Sequence, residues 1–160
     1  MDISDHIPEL MCKDFAAASR LEWLATNHTG AFAMGTVSGV NTRRYHGLLI
    51  ATLNPPADRY VVFPRVEETV DSSGGHFALA AVQYPGTVSP RGYELLEDFS
   101  NTPTPTWRYR CGGLTLTKSL RLIEGAQTVV LSYSASSACT LKVRLFVSFR
   151  DYHSLAHDNS

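Results

Sequence analysis

The chain has 160 residues, 44% hydrophobic and 18% charged, with a formal net charge of -1 and a pI near 6.6. That length suits one domain able to bury roughly two thirds of its unfolded surface. So small a net charge argues against nucleic acid as a partner, and no stretch approaches the ~20 apolar residues of a membrane span.

Residues 8–20 carry a weak apolar stripe through Leu10, Met11, Phe15 and Ala16 to Ala18. They read as a short N-terminal helix or irregular segment, distinct from a β domain over residues 21–160. From there the chain reads as β-structure. Residues 22–26 form a strand closed by the turn composition Asn27-His28-Thr29-Gly30, and residues 31–37 form a second. Ser38-Gly39-Val40-Asn41 turns the chain into an expected strand over residues 44–53, which Pro55 and Pro56 stop. Residues 60–70 are a long strand broken by Pro64, an edge or bulge signal. After the turn at 71–75 come a strand at 76–84, a loop at 85–92, a mixed strand at 93–99 and an extended connector through Pro105. Trp107 leads through Gly112-Gly113 into residues 114–123 with hairpin chemistry.

The clearest alternation is at the end. Leu114, Leu116, Leu120 and Leu122 alternate with polar residues, and Val129, Leu131 and Tyr133 follow in the same way. Leu141, Val143, Leu145, Val147 and Phe149 then alternate with Lys142, Arg144 and Ser148. About ten strands without intervening helices predict an all-β antiparallel sandwich, supersandwich-like in size, with no second domain.

Little of this chain reads as catalytic. There is no nucleophile elbow, P-loop or dinucleotide fingerprint. Glu67 and Glu68 are strand neighbours, so they point to opposite faces and cannot form one acid/base pair. His153 and His157 sit four apart without a metalloprotease glutamate, and no metal or cofactor is expected. Asn27-His28-Thr29 matches a glycosylation acceptor, set aside because the acidic N-terminus lacks signal-peptide character. Cys12, Cys111 and Cys139 cannot all pair within one chain and read as reduced, buried side chains of a cytoplasmic protein.

The densest recognition chemistry lies in residues 35–49, where Arg43, Arg44, Tyr45 and His46 stand between glycines ahead of an apolar run. Eleven arginines against three lysines favour directed polar contacts, although genome composition produces the same bias. On a strand, Arg43, Tyr45 and Gly47 would face one way and Arg44, His46 and Leu48 the other. One arginine would then be buried against Glu67, Glu68 or Asp151, and the other free to present its fork beside a phenol ring. Gly47 would admit close approach of a backbone or ligand. Trp23 and Trp107 read as core residues first and exposed aromatic platforms second.

Four stretches resemble the N-terminal domain of bacterial and archaeal glycogen debranching enzymes of the amylo-α-1,6-glucosidase type. They are E-W-L-A-T-N from Glu22, G-T-V-S-G from Gly35 running into N-T-R-R-Y-H-G-L-L from Asn41, V-E-E-T from Val66, and F-R-D-Y-H-S-L from Phe149. The likeness runs from about residue 21 to the C-terminus; the first turn, with Gly30 alone, is poorer in glycine than the family's. It implies an accessory domain supporting α-1,6-glucosidic hydrolysis of glycogen by a helical α/α barrel of the same polypeptide. The hydrolytic carboxylates would lie in that barrel, so these 160 residues alone should be inactive. Asn41, Arg43, Arg44, Tyr45, His46, Arg150, Asp151 and His153 become candidates for a domain junction, for direct α-glucan contact, or for local stability. A free-standing carbohydrate-binding module and a ligand-free interaction domain are the alternatives.

Overall fold

The computed structural model describes residues 5–155. The first strand, β1 (His6–Pro8), is followed by two short helices, α1 (Glu9–Lys13) and α2 (Phe15–Ala18), in place of one. They break at Asp14, whose carboxylate accepts from the Ala16 and Ala17 N–H groups at 2.9 and 3.3 Å and caps the second helix. This segment packs against the sheets: β1 pairs with the strand Leu96–Ser100, and both Cys12 and Ala18 are fully buried.

Fourteen further strands follow among the described residues: β2 (Glu22–Thr26), β3 (Phe32–Thr36), β4 (Gly47–Asn54), β5 (Ala57–Phe63), β6 (Arg65–Ser72), β7 (Gly75–Ala78) and β8 (Ala81–Tyr84) come first. The remainder are β9 (Thr87–Arg91), β10 (Leu96–Ser100), β11 (Thr106–Cys111), β12 (Leu114–Leu122), β13 (Val129–Ala135), β14 (Thr140–Phe146) and β15 (Arg150–Asp151). Every pairing is antiparallel. The expected all-β sandwich stands, with more and shorter strands than about ten. The strand expected over 76–84 breaks at Leu79 and Ala80, the loop at 85–92 contains β9, and a 3-10 turn (Gly92–Leu95) precedes β10. Gly92 cannot carry a side chain, because a Cβ there would lie 1.8 Å from the Leu79 carbonyl oxygen.

One layer is the sheet β1-β10-β11-β12-β13. The other is β2-β3-β4-β5-β15 together with β7-β6-β14. Pro64 bends β5 into β6, and the chain 140–151 follows the bend, pairing first with β6 and then with β5. Between the layers Trp23 of β2 meets Trp107 of β11 edge-on, with ring centroids 5.2 Å apart. Each indole N–H is satisfied inside, on the Thr36 and Val37 carbonyls at 3.2 and 3.1 Å. Both tryptophans are core residues.

β12 keeps the alternation read from its leucines, and Lys118 occupies the same inward phase. Its ammonium lies 2.5 Å from Oε1 of Glu68 on β6, and the Tyr133 hydroxyl of β13 donates to the same oxygen at 2.8 Å. Lys118 and Glu68 are 8% and 3% exposed, so this ion pair joins the layers inside the protein. Glu67, its neighbour, faces outward to Arg65 and Arg144.

Leaving a buried carboxylate without its cation costs far more than a surface pair contributes. Lys118→Met is therefore expected to lower unfolding free energy by about 3–5 kcal/mol in urea titrations. Adding Glu68→Leu and Tyr133→Phe should restore most of the loss. A triple variant no more stable than Lys118→Met would refute the pairing argument.

Candidate functional site

Residues 37–46 connect β3 to β4 and are not strand. The His46 N–H donates to the Arg43 carbonyl at 3.1 Å, closing a four-residue turn. The Thr42 N–H donates to His46 Nδ1, also at 3.1 Å, so the histidine ring ties the turn together from inside. Strand resumes only at Gly47, where a Cβ would come within 3.0 Å of Ile50 Cδ1 and 3.3 Å of Val61 Cγ1. Gly47 thus serves the close packing of its own sheet.

The turn removes the two-faced alternation expected for these residues. Neither arginine is buried, and the carboxylate partner of Arg43 is Glu22 rather than Glu67, Glu68 or Asp151. Glu22 Oε1 accepts from Arg43 Nε at 2.7 Å and from His46 Nε2 at 3.0 Å. Because His46 Nδ1 already accepts from Thr42, the neutral ring carries its proton on Nε2 and gives it to Glu22. His46 is 1% exposed. Burial holds its pKa below the ordinary value and the Arg43 charge adds to that, while Glu22 works in the opposite direction.

Arg44 and Tyr45 belong to a second group, assembled with residues from the far end of the chain. Arg44 Nη1 donates to the His153 carbonyl at 2.8 Å, and Arg150 Nη2 donates to the Arg44 carbonyl at 2.7 Å. Each guanidinium thus reads the backbone of the other segment. Arg150 also donates to the Ser154 carbonyl, and Asp151 Oδ1 accepts from the His153 N–H at 2.8 Å, shaping the turn that follows β15. The Arg44 guanidinium lies 4.9 Å from the Tyr45 ring centre. Tyr45 packs at 5.3 Å on Tyr152, which packs at 4.0 Å on His153, and the Tyr45 hydroxyl comes to 3.5 Å from His153 Nδ1.

Of the residues expected from sequence, Arg44, Tyr45, Arg150, Asp151 and His153 converge. Arg43 and His46 form the neighbouring Glu22 group. Asn41 stands apart, donating to the Pro64 carbonyl at 3.0 Å and fastening the loop to the bend between β5 and β6. Sequence reading missed Glu22, Tyr152 and Arg59. Glu22 opens the first quoted stretch and Tyr152 lies inside the last, but nothing in their spacing to Arg43 or Tyr45 announces contact. Arg59 lies 5.8 Å from the Tyr152 ring centre and donates to the Gly30 carbonyl at 2.9 Å. It also lines a shallow groove of about 400 Å³ with Leu24, Thr26, His28 and Phe32, so cluster and groove meet at this side chain.

The interior offers less room. A cavity of about 50 Å³ between Trp23, Met34, Leu79, Trp107 and the Lys118–Glu68 pair has space for one or two waters but not for a sugar ring. Among the described residues no group of three or more His, Cys, Asp or Glu side chains is placed to hold a metal ion, and His157 lies outside them. No helix among them is long and apolar enough to cross a membrane. The Asn27 amide is buried and donates to the Ile123 and Ala126 carbonyls, which closes it to glycosylation in the folded chain.

A model of the family described as glycogen debranching enzyme, N-terminal, matches residues 21–160. No curated protein and no solved structure matches the chain.

The buried histidine has a pH signature. An unfolded histidine titrates near about 6.5, and the folded value of His46 lies lower. Between the two, the unfolded chain binds a proton that the folded chain refuses, so stability present above that window is lost as pH falls through it. Urea midpoints should drop between pH 7 and pH 5, with a shallower drop in His46→Gln. Parallel profiles for the two proteins would show that His46 does not set the slope.

Proposed function

Because the chain belongs to the family of glycogen debranching enzyme N-terminal domains, we propose that it is the accessory β domain of an α-1,6-glucosidase. In this reading a helical-barrel domain of the same polypeptide performs the hydrolysis, and these residues carry none of its acid/base chemistry. The partner is the barrel, the substrate is a branched α-glucan, and the compartment is the reducing cytoplasm. The last assignment draws on three unpaired cysteines, two of which, Cys12 and Cys111, have thiols pushed up to about 11 by burial and are therefore poorly nucleophilic.

The observation that carries this proposal is the pair of bonds by which Arg150 holds the Arg44 carbonyl and Arg44 holds the His153 carbonyl. They join the two arginine-bearing stretches, 106 positions apart, into one half-exposed constellation on the β4–β5–β15 side of the domain. Guanidinium groups that hold neighbouring carbonyls keep loop backbones in fixed positions without needing a buried carboxylate. A surface of this kind is suited to a docking barrel, and its role is to order the junction.

Direct glucan contact is the second reading, favoured by the continuity of the Tyr45–Tyr152–His153 rings with the groove at Arg59. A pyranose lays its C–H face on an aromatic ring and offers hydroxyls to a guanidinium. The two readings separate kinetically. With the barrel in cis, Arg44→Ala and Arg150→Ala are each expected to reduce debranching kcat/KM by about tenfold. A junction role appears in kcat and in loss of cooperative unfolding between the domains, whereas glucan contact appears in KM. Calorimetry of the 160-residue chain with maltooligosaccharides should give heat only under the second reading. Wild-type kinetics in both variants would remove the constellation from the function.

A further inference from the structure

The alternating segment at the end of the chain does not end up where its pattern predicts. Leu141, Val143 and Leu145 pair with Val70, Glu68 and Val66, and so share the row of β6 that faces the core. Leu141 is partly buried against that core, but Val143 is 43% exposed and Leu145 61% exposed. Val147 and Phe149 continue at 78% and 70%. Two terminal strands cause this. β13 ends one layer and β14 ends its part of the other, joined directly through residues 136–139, so the sandwich stays open along that side. Among the described residues β14 has a sheet partner only in β6, and its outer edge of N–H and C=O groups has no ladder partner there. An apolar row beside an unpaired strand edge is the arrangement that accepts an added strand.

The other row identifies what fits. Lys142 and Arg144 project from the opposite face of β14, with side chains 67% and 76% exposed. Their contacts with Asp71 and Glu67 are exposed pairs of little strength, and Glu67 is shared with Arg65. A second copy of the chain is a poor occupant. In antiparallel pairing about a two-fold axis, each register that overlaps most of β14 sets Lys142 or Arg144 opposite Lys142 or Arg144 of the other copy. Like charges placed directly across a ladder are destabilising. The same cations would favour carboxylates at those positions.

We propose that the β14 edge is a strand-addition site for a peptide segment supplied from outside these 160 residues, one that alternates apolar and acidic side chains. The apolar residues of the segment cover Val143 and Leu145, its carboxylates meet Lys142 and Arg144, and its backbone extends the β6–β14 ladder. This site is independent of the Arg44–Arg150 constellation and does not rest on the glucan reading.

Dye-labelled ten-residue peptides test it by fluorescence anisotropy against the 160-residue chain: alternating Val/Glu, alternating Val/Lys, and a Val/Glu peptide of shuffled order. The alternating Val/Glu peptide should bind about tenfold or more tightly than either of the others. Binding should protect backbone amides of β14 from hydrogen exchange. Lys142→Glu with Arg144→Glu should reverse the preference in favour of Val/Lys, and Leu145→Asp should abolish binding while both variants keep the wild-type circular dichroism. Equal binding of the three peptides, or of Val/Glu by wild type and the charge-reversed variant, overturns the proposal. So does a concentration-dependent dimer of the wild-type chain that Leu145→Asp dissociates, because the occupant would then be a second copy.

Discussion

The buried carboxylate of Glu68 sets the relation between the layers. In the middle of β6 it faces inward, where an ionised group must be paired and hydrogen-bonded to be tolerated. Its partners come from the opposite sheet, the Lys118 ammonium from β12 and the Tyr133 hydroxyl from β13. Apolar contacts between sheets are non-directional and would accept some sliding; a 2.5 Å ion pair does not. It specifies which parts of the two sheets overlap. On the side of β11 the overlap closes the core around Trp23, Phe99 and Trp107. Beyond β13 it ends, and the inward row of β14 projects past its cover.

On the opposite side of β4 and β5, polar chemistry is arranged differently. The turn at residues 43–46 has no buried ion pair. It is held by backbone-directed bonds: Thr42 to the His46 ring, Arg44 to the His153 carbonyl, Arg150 to the Arg44 carbonyl. Arginine suits this use, since its planar fork makes several bonds at fixed angles and its charge stays hydrated at the surface. Glu22 completes the arrangement by receiving both Arg43 and His46, which orients the histidine ring under the turn. The half-exposed group of Arg44, Tyr45, Tyr152 and His153 thus rests on a layer of satisfied polar contacts that holds its side chains in position.

How much of this was legible from residues depended on the range of the interaction. Period-2 alternation announced β12 and β13, and the glycine pair at 112–113 announced the hairpin before them. Pro64 marked the bend, and Glu67 and Glu68, as strand neighbours, had to face opposite ways; both read as surface or salt-bridge groups, whereas Glu68 is buried. Other features were hidden. Arg43 to His46 look like the start of a strand because an apolar run follows, yet a bond from Thr42 to a histidine ring four residues later closes a turn instead. Lys118 stands in the phase of leucines, but only Glu68 across the core makes burial of an ammonium tolerable. The apolar row of residues 141–149 carries the pattern of a half-buried strand, and pattern reports which side chains share a face, not whether another layer covers it.

From the order of its residues alone, the chain determines an antiparallel β-sandwich, the turns between most strands and a densely polar stretch ahead of an apolar strand. These follow from local chemistry: alternation, proline and glycine geometry, and side chains within a few positions of one another. Tertiary structure alone decided that Arg150 would hold the Arg44 carbonyl while Arg44 held that of His153, that Glu22 would serve Arg43 and His46, and that β14 would remain uncovered by the described residues. Each depends on contact between segments tens to more than a hundred residues apart, where the energetic gain comes from burial and pairing in space and leaves no periodic trace along the chain.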